Sequence, residues 1–319
     1  MSMNQIIQVL KKNKRFLIST HVNPDPDALC SEMALAEYLR FMGKSVSVVN
    51  SESVPSRYRF LPGMSRIKSY RKNFKKDYDI AVIVDCGELD RIGPVKGLLR
   101  GETVIINIDH HITNDKFGDY NLIQPQASST AEILYELLTK AKCRFTKNMA
   151  MNLYAGIMTD TGSFRYENAL SRTHAITAEL LKWNFAPHRL YQKFYENVSF
   201  KDLKEFIILL RRLEMHCGGK VASIELTKKV LSKFSGDFDL RDAVFKLLRS
   251  VKDVVVVVIC AQVNQGKTRV NLRSSEKFNV AKLAAQFNGG GHSRASGCMV
   301  DKNISQARKA IINKIKAQL

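Results

Sequence analysis

Eight aspartate and histidine side chains fall in four short stretches. His21, Asp25 and Asp27 lie in HVNPDPD, and Asp85 ends DIAVIVD. Asp109, His110 and His111 close TVIINIDHH, and Asp160 lies in YAGIMTDTGSF. Taken singly, each has a plain structural use. Asp27 suits a helix cap, Asp85 the head of an Asx-turn with Gly87, His21 a satisfied core position, and Asp160 the start of a turn. Brought together, four or more carboxylates repel one another strongly. Divalent cations relieve that repulsion, and mixed Asp/His ligation suits manganese or iron and, less well, magnesium. The set is large enough for two cations. A pair ~3.5–4 Å apart that shares a carboxylate and a water supports in-line displacement at phosphorus. Asp109-His110-His111 poses a local problem, because adjacent side chains in a strand point to opposite faces. The stretch lies where a strand ends and the chain turns, so one histidine can ligate metal while the other faces a substrate.

The elements that must position these groups can be read from periodicity. RFLIST (15–20), SVSVVN, DIAVIVD (79–85) and TVIINID (103–109) are short apolar runs of the kind buried on both faces of a parallel sheet. ALCSEMALAEYLRFMG has helical spacing and stops at Gly43, a C-cap signal. Strands alternating with helices predict an open α/β sheet, whose ligands sit at the carboxyl ends of the strands. The acids and histidines fall at those ends. SSTAEILYELLTKA opens on a capping box, Ser129 to Glu132. Helices follow, the last of them SFKDLKEFIILLRRLEMH, a connector. A second α/β region then runs KVASIEL, LRDAVFKLLRS, DVVVVVICAQV, TRVNLRS, NVAKLAAQF, a glycine loop and a final helix. The expected division is 1–190, a connector helix 191–214, and 215–319.

Composition narrows the class. The chain has 319 residues, 45% hydrophobic and 25% charged, and no apolar run approaches the ~20 residues that span a bilayer. Its start does not read as a signal peptide. Six scattered cysteines without a CxxC suit a reducing cytoplasm. The net charge of +20 is uneven, with +7 in residues 1–190 and +13 in 191–319. A basic chain favours polyanions, nucleic acid first, although a solvated lysine-rich surface gives the same count. In FNGGGHSRASG, Gly289, Gly290 and Gly291 offer bare backbone N–H groups that can cradle a phosphate. His292 and Arg294 add donors, and Arg273 in NLRSS can fork onto phosphate.

HVNPDPDALCS, IVDCGELDRIG, NIDHHITN and TDTGSF resemble, in order, the four N-terminal motifs of the DHH phosphoesterase family. VNLRSS…NVAKLAAQFNGGGHSRASG (270–297) resembles the substrate-binding motif of its DHHA1-type members. The resemblance spans nearly the whole chain, and length and domain pair look most like the oligoribonuclease/pAp phosphatase subgroup. It implies an N-terminal Rossmann-like catalytic domain and a smaller substrate-binding domain, with the active site in the cleft between. It also implies two Mn²⁺ ions, with Mg²⁺ or another divalent metal as substitutes. His21, Asp25 and Asp85 would hold one. Asp27, Asp85, His110 and Asp160 would hold the other, with Asp85 bridging. His111 would face the scissile phosphate and Asp109 would orient a neighbouring histidine. Arg273 and His292 would grip the substrate's terminal phosphate or nucleotide. Two departures stand out: where the family motif reads PDGDxxGS, Pro26 and Cys30 replace both glycines.

The expected function is a cytoplasmic, manganese-dependent phosphoesterase that hydrolyses short oligoribonucleotides to mononucleotides, with removal of the 3′-phosphate of pAp as a second activity; short RNA or DNA oligonucleotides or nucleotides are the expected substrates. A phosphodiesterase for linear or cyclic dinucleotides uses the same site. A non-catalytic nucleotide-binding protein is disfavoured, because every ligand position is filled. A membrane role is not expected, and a homodimer is compatible with the sequence.

Overall fold

The computed structural model describes residues 2–74, 77–275 and 278–319, with His292 described by its backbone alone. It divides into two compact units, Met1–Glu196 and Asn197–Leu319.

The first unit begins with α1 (Met3–Lys12), closed at its start by a capping box between Ser2 and Gln5. There follow β1 (Arg15–Ser19), α2 (Pro26–Phe41), β2 (Ser45–Asn50), the two-residue β3 (Lys68–Ser69), β4 (Ile80–Val84), β5 (Val104–Asp109) and β6 (Tyr120–Ile123). Four helices complete it: α3 (Thr130–Lys140), α4 (Lys147–Asp160), α5 (Ser171–Leu181) and α6 (Pro187–Tyr195). The strands form one parallel sheet in the order β3-β2-β1-β4-β5-β6. Every residue of β4 is buried, as its unbroken run Ile-Ala-Val-Ile-Val requires of a central strand. Phe16, Ile18, Val82 and Ile106 share one core with buried residues of α2, α3 and α4. Leu17, Ala81 and Ile83 face the opposite side, covered by Ile92, Val95 and Leu98. Connections run outward from β1 in one direction and from β4 in the other. Such a sheet opens a crevice at the carboxyl ends of the strands where the order reverses, here between β1 and β4.

The segment 191–214 is not one helix. α6 ends at Tyr195, and α7 (Phe200–Leu210) starts anew behind Ser199, whose Oγ accepts the Asp202 N–H at 3.0 Å. A Ser-x-x-Asp start signal was therefore present in the sequence.

The second unit continues with β7 (Glu214–His216), β8 (Val221–Leu226), α8 (Lys228–Leu231), α9 (Leu240–Arg249), β9 (Val256–Asn264) and β10 (Lys267–Ser274). It ends with α10 (Val280–Ala285), β11 (Gly290–His292), β12 (Ala295–Val300) and α11 (Ile304–Lys316). Its sheet is mixed, in the order β11-β12-β10-β9-β8-β7, with only β8 and β9 parallel. Val258, Val270 and Leu272 pack with Leu283 and Ile311 on one face. Ile224, Val257 and Ile259 pack with Val244, Phe245 and Leu248 of α9 on the other. The glycine run expected as a loop is in part an edge strand, Gly290–His292 pairing with Ala295–Gly297. Among the described residues no helix is long and apolar enough to cross a membrane, and all six cysteines are unpaired.

Candidate metal centre

The crevice of the first unit gathers all eight aspartates and histidines. The turn after β1 carries His21, whose Nδ1–H donates to the Val22 carbonyl oxygen at 2.9 Å. That bond turns Nε2 toward Asp85 Oδ2, 3.7 Å away. Asp25 caps α2, its Oδ1 accepting the Ala28 N–H at 3.1 Å, so Pro26 falls at the first helical position, where its fixed φ fits. Asp85 follows β4 with φ +53°, a left-handed conformation that Asp adopts more readily than most residues. His110 and His111 leave the end of β5, and Asp160 is the last residue of α4. His110 Nε2 lies 3.6 Å from Asp85 Oδ1 and 3.5 Å from Asp160 Oδ2.

Three donor groups result: His21–Asp25–Asp85, Asp27–His110–Asp160 and Asp85–His110–His111, each with ligand atoms within 4.8 Å of one another. Asp85 and His110 each belong to two groups, the pattern of adjoining cation sites. The donors, neutral imidazole nitrogen and carboxylate oxygen, are those that divalent manganese, iron or magnesium accept. His111 is held differently. Its Nδ1–H donates to Asp109 Oδ1 at 2.7 Å, and Asp109 is fully buried. Asp109 Oδ1 also accepts the His110 N–H, and its Oδ2 takes a 2.6 Å bond from Asn114. The carboxylate thereby fixes both the plane and the tautomer of the His111 ring.

Thr130 and Ala131, to which the sequence assigned no site role, complete the centre. Asp27 does not cap its own helix. It accepts the Thr130 N–H on Oδ2 at 2.7 Å and the Ala131 N–H on Oδ1 at 3.0 Å, at the positive end of α3. The Thr130 hydroxyl donates to Asp85 Oδ1 at 3.0 Å. Only half of the expected capping box forms. Ser129 Oγ accepts the Glu132 N–H, but the Glu132 carboxylate turns to Ser128 Oγ at 2.6 Å and Thr173 Oγ1 at 2.8 Å. The signal that marks a helix start here also marks an aspartate anchor. Cys30, where the family motif has glycine, is buried against α4, and the close approach is supplied from that side by Gly156. A Cβ on Gly156 would stand 2.7 Å from Asp27 Oδ1 and from Ala131 Cβ.

Charge and burial compete throughout. Burial would lower the pKa of His21, but the Asp85 bond and the charges on Asp25 and Asp85 lift it to about 9. His110, likewise buried, is raised to about 9 by Asp160, Asp85 and Asp27. Burial, joined by the charges of Asp25 and Asp85, raises Asp160 to about 7. Asp27 is pushed up by burial and by its carboxylate neighbours. Asp85 is buried too, yet His21, His111 and His110 hold it below the ordinary carboxylate range. Metal-free protein therefore stores protons where cations would sit. The two histidines stabilise the folded state fully below about 6.5, and that contribution fades as pH rises through about 9. Asp160 is destabilising above its unfolded value and stays so past about 7. Both effects have one sign, so the melting temperature of chelated protein is expected to fall between pH about 6.5 and about 9. Mn²⁺ should raise it more at the alkaline end, because ligands must shed protons. Thermal melts with and without Mn²⁺ check this; a metal-induced rise independent of pH contradicts it.

The residues expected to hold substrate form a separate group in the second unit. Arg273, near the end of β10, lays its guanidinium 4.9 Å from the Phe245 ring centroid and donates to the Leu272 carbonyl oxygen. Arg294 lies in the turn between β11 and β12, where its carbonyl oxygen accepts the Ser274 N–H. The glycines answer first to the fold. A Cβ on Gly289 would meet the Gly297 carbonyl oxygen at 2.3 Å, and Gly291 has φ +130°. Around Gly290 the space is open. The His292 side chain lies outside the described residues.

Comparison with known proteins agrees with this layout. Residues 15–157 match the DHH family N-terminal domain, and residues 220–319 match the DHHA1 domain. A probable bifunctional oligoribonuclease and PAP phosphatase NrnA of Streptococcus mutans is 31% identical, over 92% of this chain and 91% of the relative. The bifunctional oligoribonuclease and PAP phosphatase NrnA of Thermus thermophilus is 28% identical, over 99% of this chain and 94% of the relative. The crystal structure of an exopolyphosphatase-related protein from Bacteroides fragilis superimposes with a TM-score of 0.90 at 26% identity, covering 99% of this chain and 96% of that one. With both domains matched in order and the strand-end acids gathered in one crevice, the chain belongs to the DHH family of phosphoesterases, hydrolases of phosphoester bonds, and carries a DHHA1 domain in its C-terminal unit.

Proposed function

We propose that the chain is a manganese-dependent enzyme that hydrolyses short oligoribonucleotides to mononucleotides and removes the 3′-phosphate of pAp. The observation that carries the reading is the sharing of Asp85 and His110 among three donor groups in one crevice. Full-length similarity to enzymes named for these two activities supports it. In this reading His21, Asp25 and Asp85 hold one cation, and Asp27, Asp85, His110 and Asp160 hold a second. Two such cations acidify a water and take up charge on the phosphate. His111, fixed through Nδ1 by Asp109, presents its other ring edge to the scissile phosphate. Thr130 and Ala131 would keep Asp27 and Asp85 oriented for such cations. In the second unit Arg273, the Gly289–His292 run and Arg294 bind the nucleotide's phosphate. Six unpaired thiols suit the cytoplasm.

The direct test is product analysis. Metal-loaded protein should convert a 5′-phosphorylated diribonucleotide to mononucleotides, and pAp to AMP and phosphate. Failure on both contradicts the reading, and activity confined to cyclic or linear adenine dinucleotides would replace it. The substrate group has its own prediction. A hydrogen bond to a charged group contributes about 1.5–3 kcal/mol. Arg273→Ala should therefore lower kcat/KM for the dinucleotide by roughly 10- to 150-fold, with metal content intact. Bis-p-nitrophenyl phosphate, which has no nucleotide to hold, should be affected far less. A parallel fall in both rates would mean that Arg273 serves the fold rather than recognition.

A further inference from the structure

We infer that one face of β10 carries a second phosphate subsite, centred on Arg269 and Arg241, that takes the sugar-phosphate backbone of a single-stranded substrate beyond the nucleotide held at Arg273. The inference rests on the oligonucleotide reading above and adds to it a determinant of chain length.

Thr268, Val270, Leu272 and Ser274 are buried on one face of β10, leaving Arg269, Asn271 and Arg273 in a row on the other. Arg269 and Arg273 are four residues apart, about 13 Å along a strand, a span longer than one nucleotide unit. The neighbouring strand keeps the row open. Opposite Arg273, Asn271 and Arg269 stand Ala295, Gly297 and Met299 of β12. A Cβ on Gly297 would press on the Val270 carbonyl oxygen at 3.0 Å and touch the Asn271 amide nitrogen at an ordinary 3.6 Å. Beyond Gly297 comes Gly290, which has open space around it. Beside Arg273 and Asn271 the floor is thus small or bare backbone, and beside Arg269 it is the exposed side chain of Met299.

Arg269 is exposed, yet partial desolvation and the charge of Arg241, at the start of α9, hold it below its ordinary pKa. Among the described residues Arg269 has no acidic partner. Between the arginines, Asn271 Oδ1 is a buried acceptor without a hydrogen bond. Neighbouring guanidinium groups and an unfilled acceptor suit a ligand with anionic oxygens and hydroxyl donors. A ribose-phosphate chain has both, and its 2′-hydroxyl can donate to an amide oxygen. An acidic peptide offers carboxylates but no regular hydroxyl.

The test compares a diribonucleotide with a tetraribonucleotide on the metal-loaded protein, wild type against Arg269→Ala and the Arg241→Ala/Arg269→Ala pair. The tetramer should lose roughly tenfold in kcat/KM, the effect of a charged hydrogen bond, and the loss should appear in KM. The dinucleotide should be unchanged within about twofold. The dependence of log KM on log salt should also flatten, by about 0.7 for each single-strand phosphate that the variant no longer neutralises. A defect of folding does not produce that flattening. Arg269→Lys, which keeps the charge, should restore most of the salt dependence. Equal losses on both substrates, or no loss on the tetramer, overturn the inference. Failure of the wild type to cleave either substrate would instead overturn the functional reading.

Discussion

Asp85→Asn is expected to reduce phosphoesterase activity by at least ~10³-fold, because it removes the one carboxylate shared between the two proposed cation positions. That magnitude follows from the several kcal/mol that a bound cation supplies to a transition state at phosphorus. Asparagine is the informative replacement. It tolerates the left-handed φ of +53° found at this position, and it can still accept the Thr130 hydroxyl bond, 3.0 Å long in the parent. Loss of activity therefore reports charge and ligation rather than backbone rearrangement. Metal content measured on the purified variant should fall below two per chain, with an unchanged circular dichroism spectrum. A variant that keeps two ions and near-parental rates would remove Asp85 from the centre of the account.

The two adjacent histidines should separate by role. His110 Nε2 faces both Asp85 and Asp160, within 3.6 Å of each, so His110→Ala should lose one metal ion per chain and nearly all activity. His111 is bound through Nδ1 to a buried aspartate. His111→Ala should keep both ions and lose roughly 10²–10³ in kcat, the scale seen when one donor to a developing charge is removed. The arrangement allows a rival outcome, since Asp85, His110 and His111 also form a donor group. Elemental analysis of the two variants decides between them. Equal metal loss would make His111 a ligand rather than a contact to phosphate.

The crevice was legible because β1, β4 and β5 are short apolar runs that stop abruptly at polar residues. Asp85 and Asp109 follow such runs directly, and the rule that ligands gather at strand carboxyl ends needs no knowledge of strand order. The order itself was not legible. β3 and β6 span two and four residues, too short to show periodicity. Asp27 shows a different limit. A carboxylate at a helix start suggests a cap, but its partners, Thr130 and Ala131, lie more than a hundred positions away. No local pattern encodes that pairing. Pro26 and Cys30 depart from the family motif, yet Pro26 sits at the first turn of α2, and Cys30 is buried against the Gly156 backbone of α4. The glycine run departs from expectation in its local structure alone. Expected as a loop, it is in part an edge strand, and Gly289 beside it and Gly291 within it are demanded by packing and positive φ.

The central claim is that this crevice works as a pair of cation sites joined through Asp85. The most direct test is a stepwise Mn²⁺ titration of chelated protein, with bound metal and hydrolysis of a diribonucleotide followed together. The account predicts no turnover without metal and little with one equivalent, then a rise that saturates as the second ion binds. Full activity in chelated protein, or saturation at one ion per chain, would contradict it.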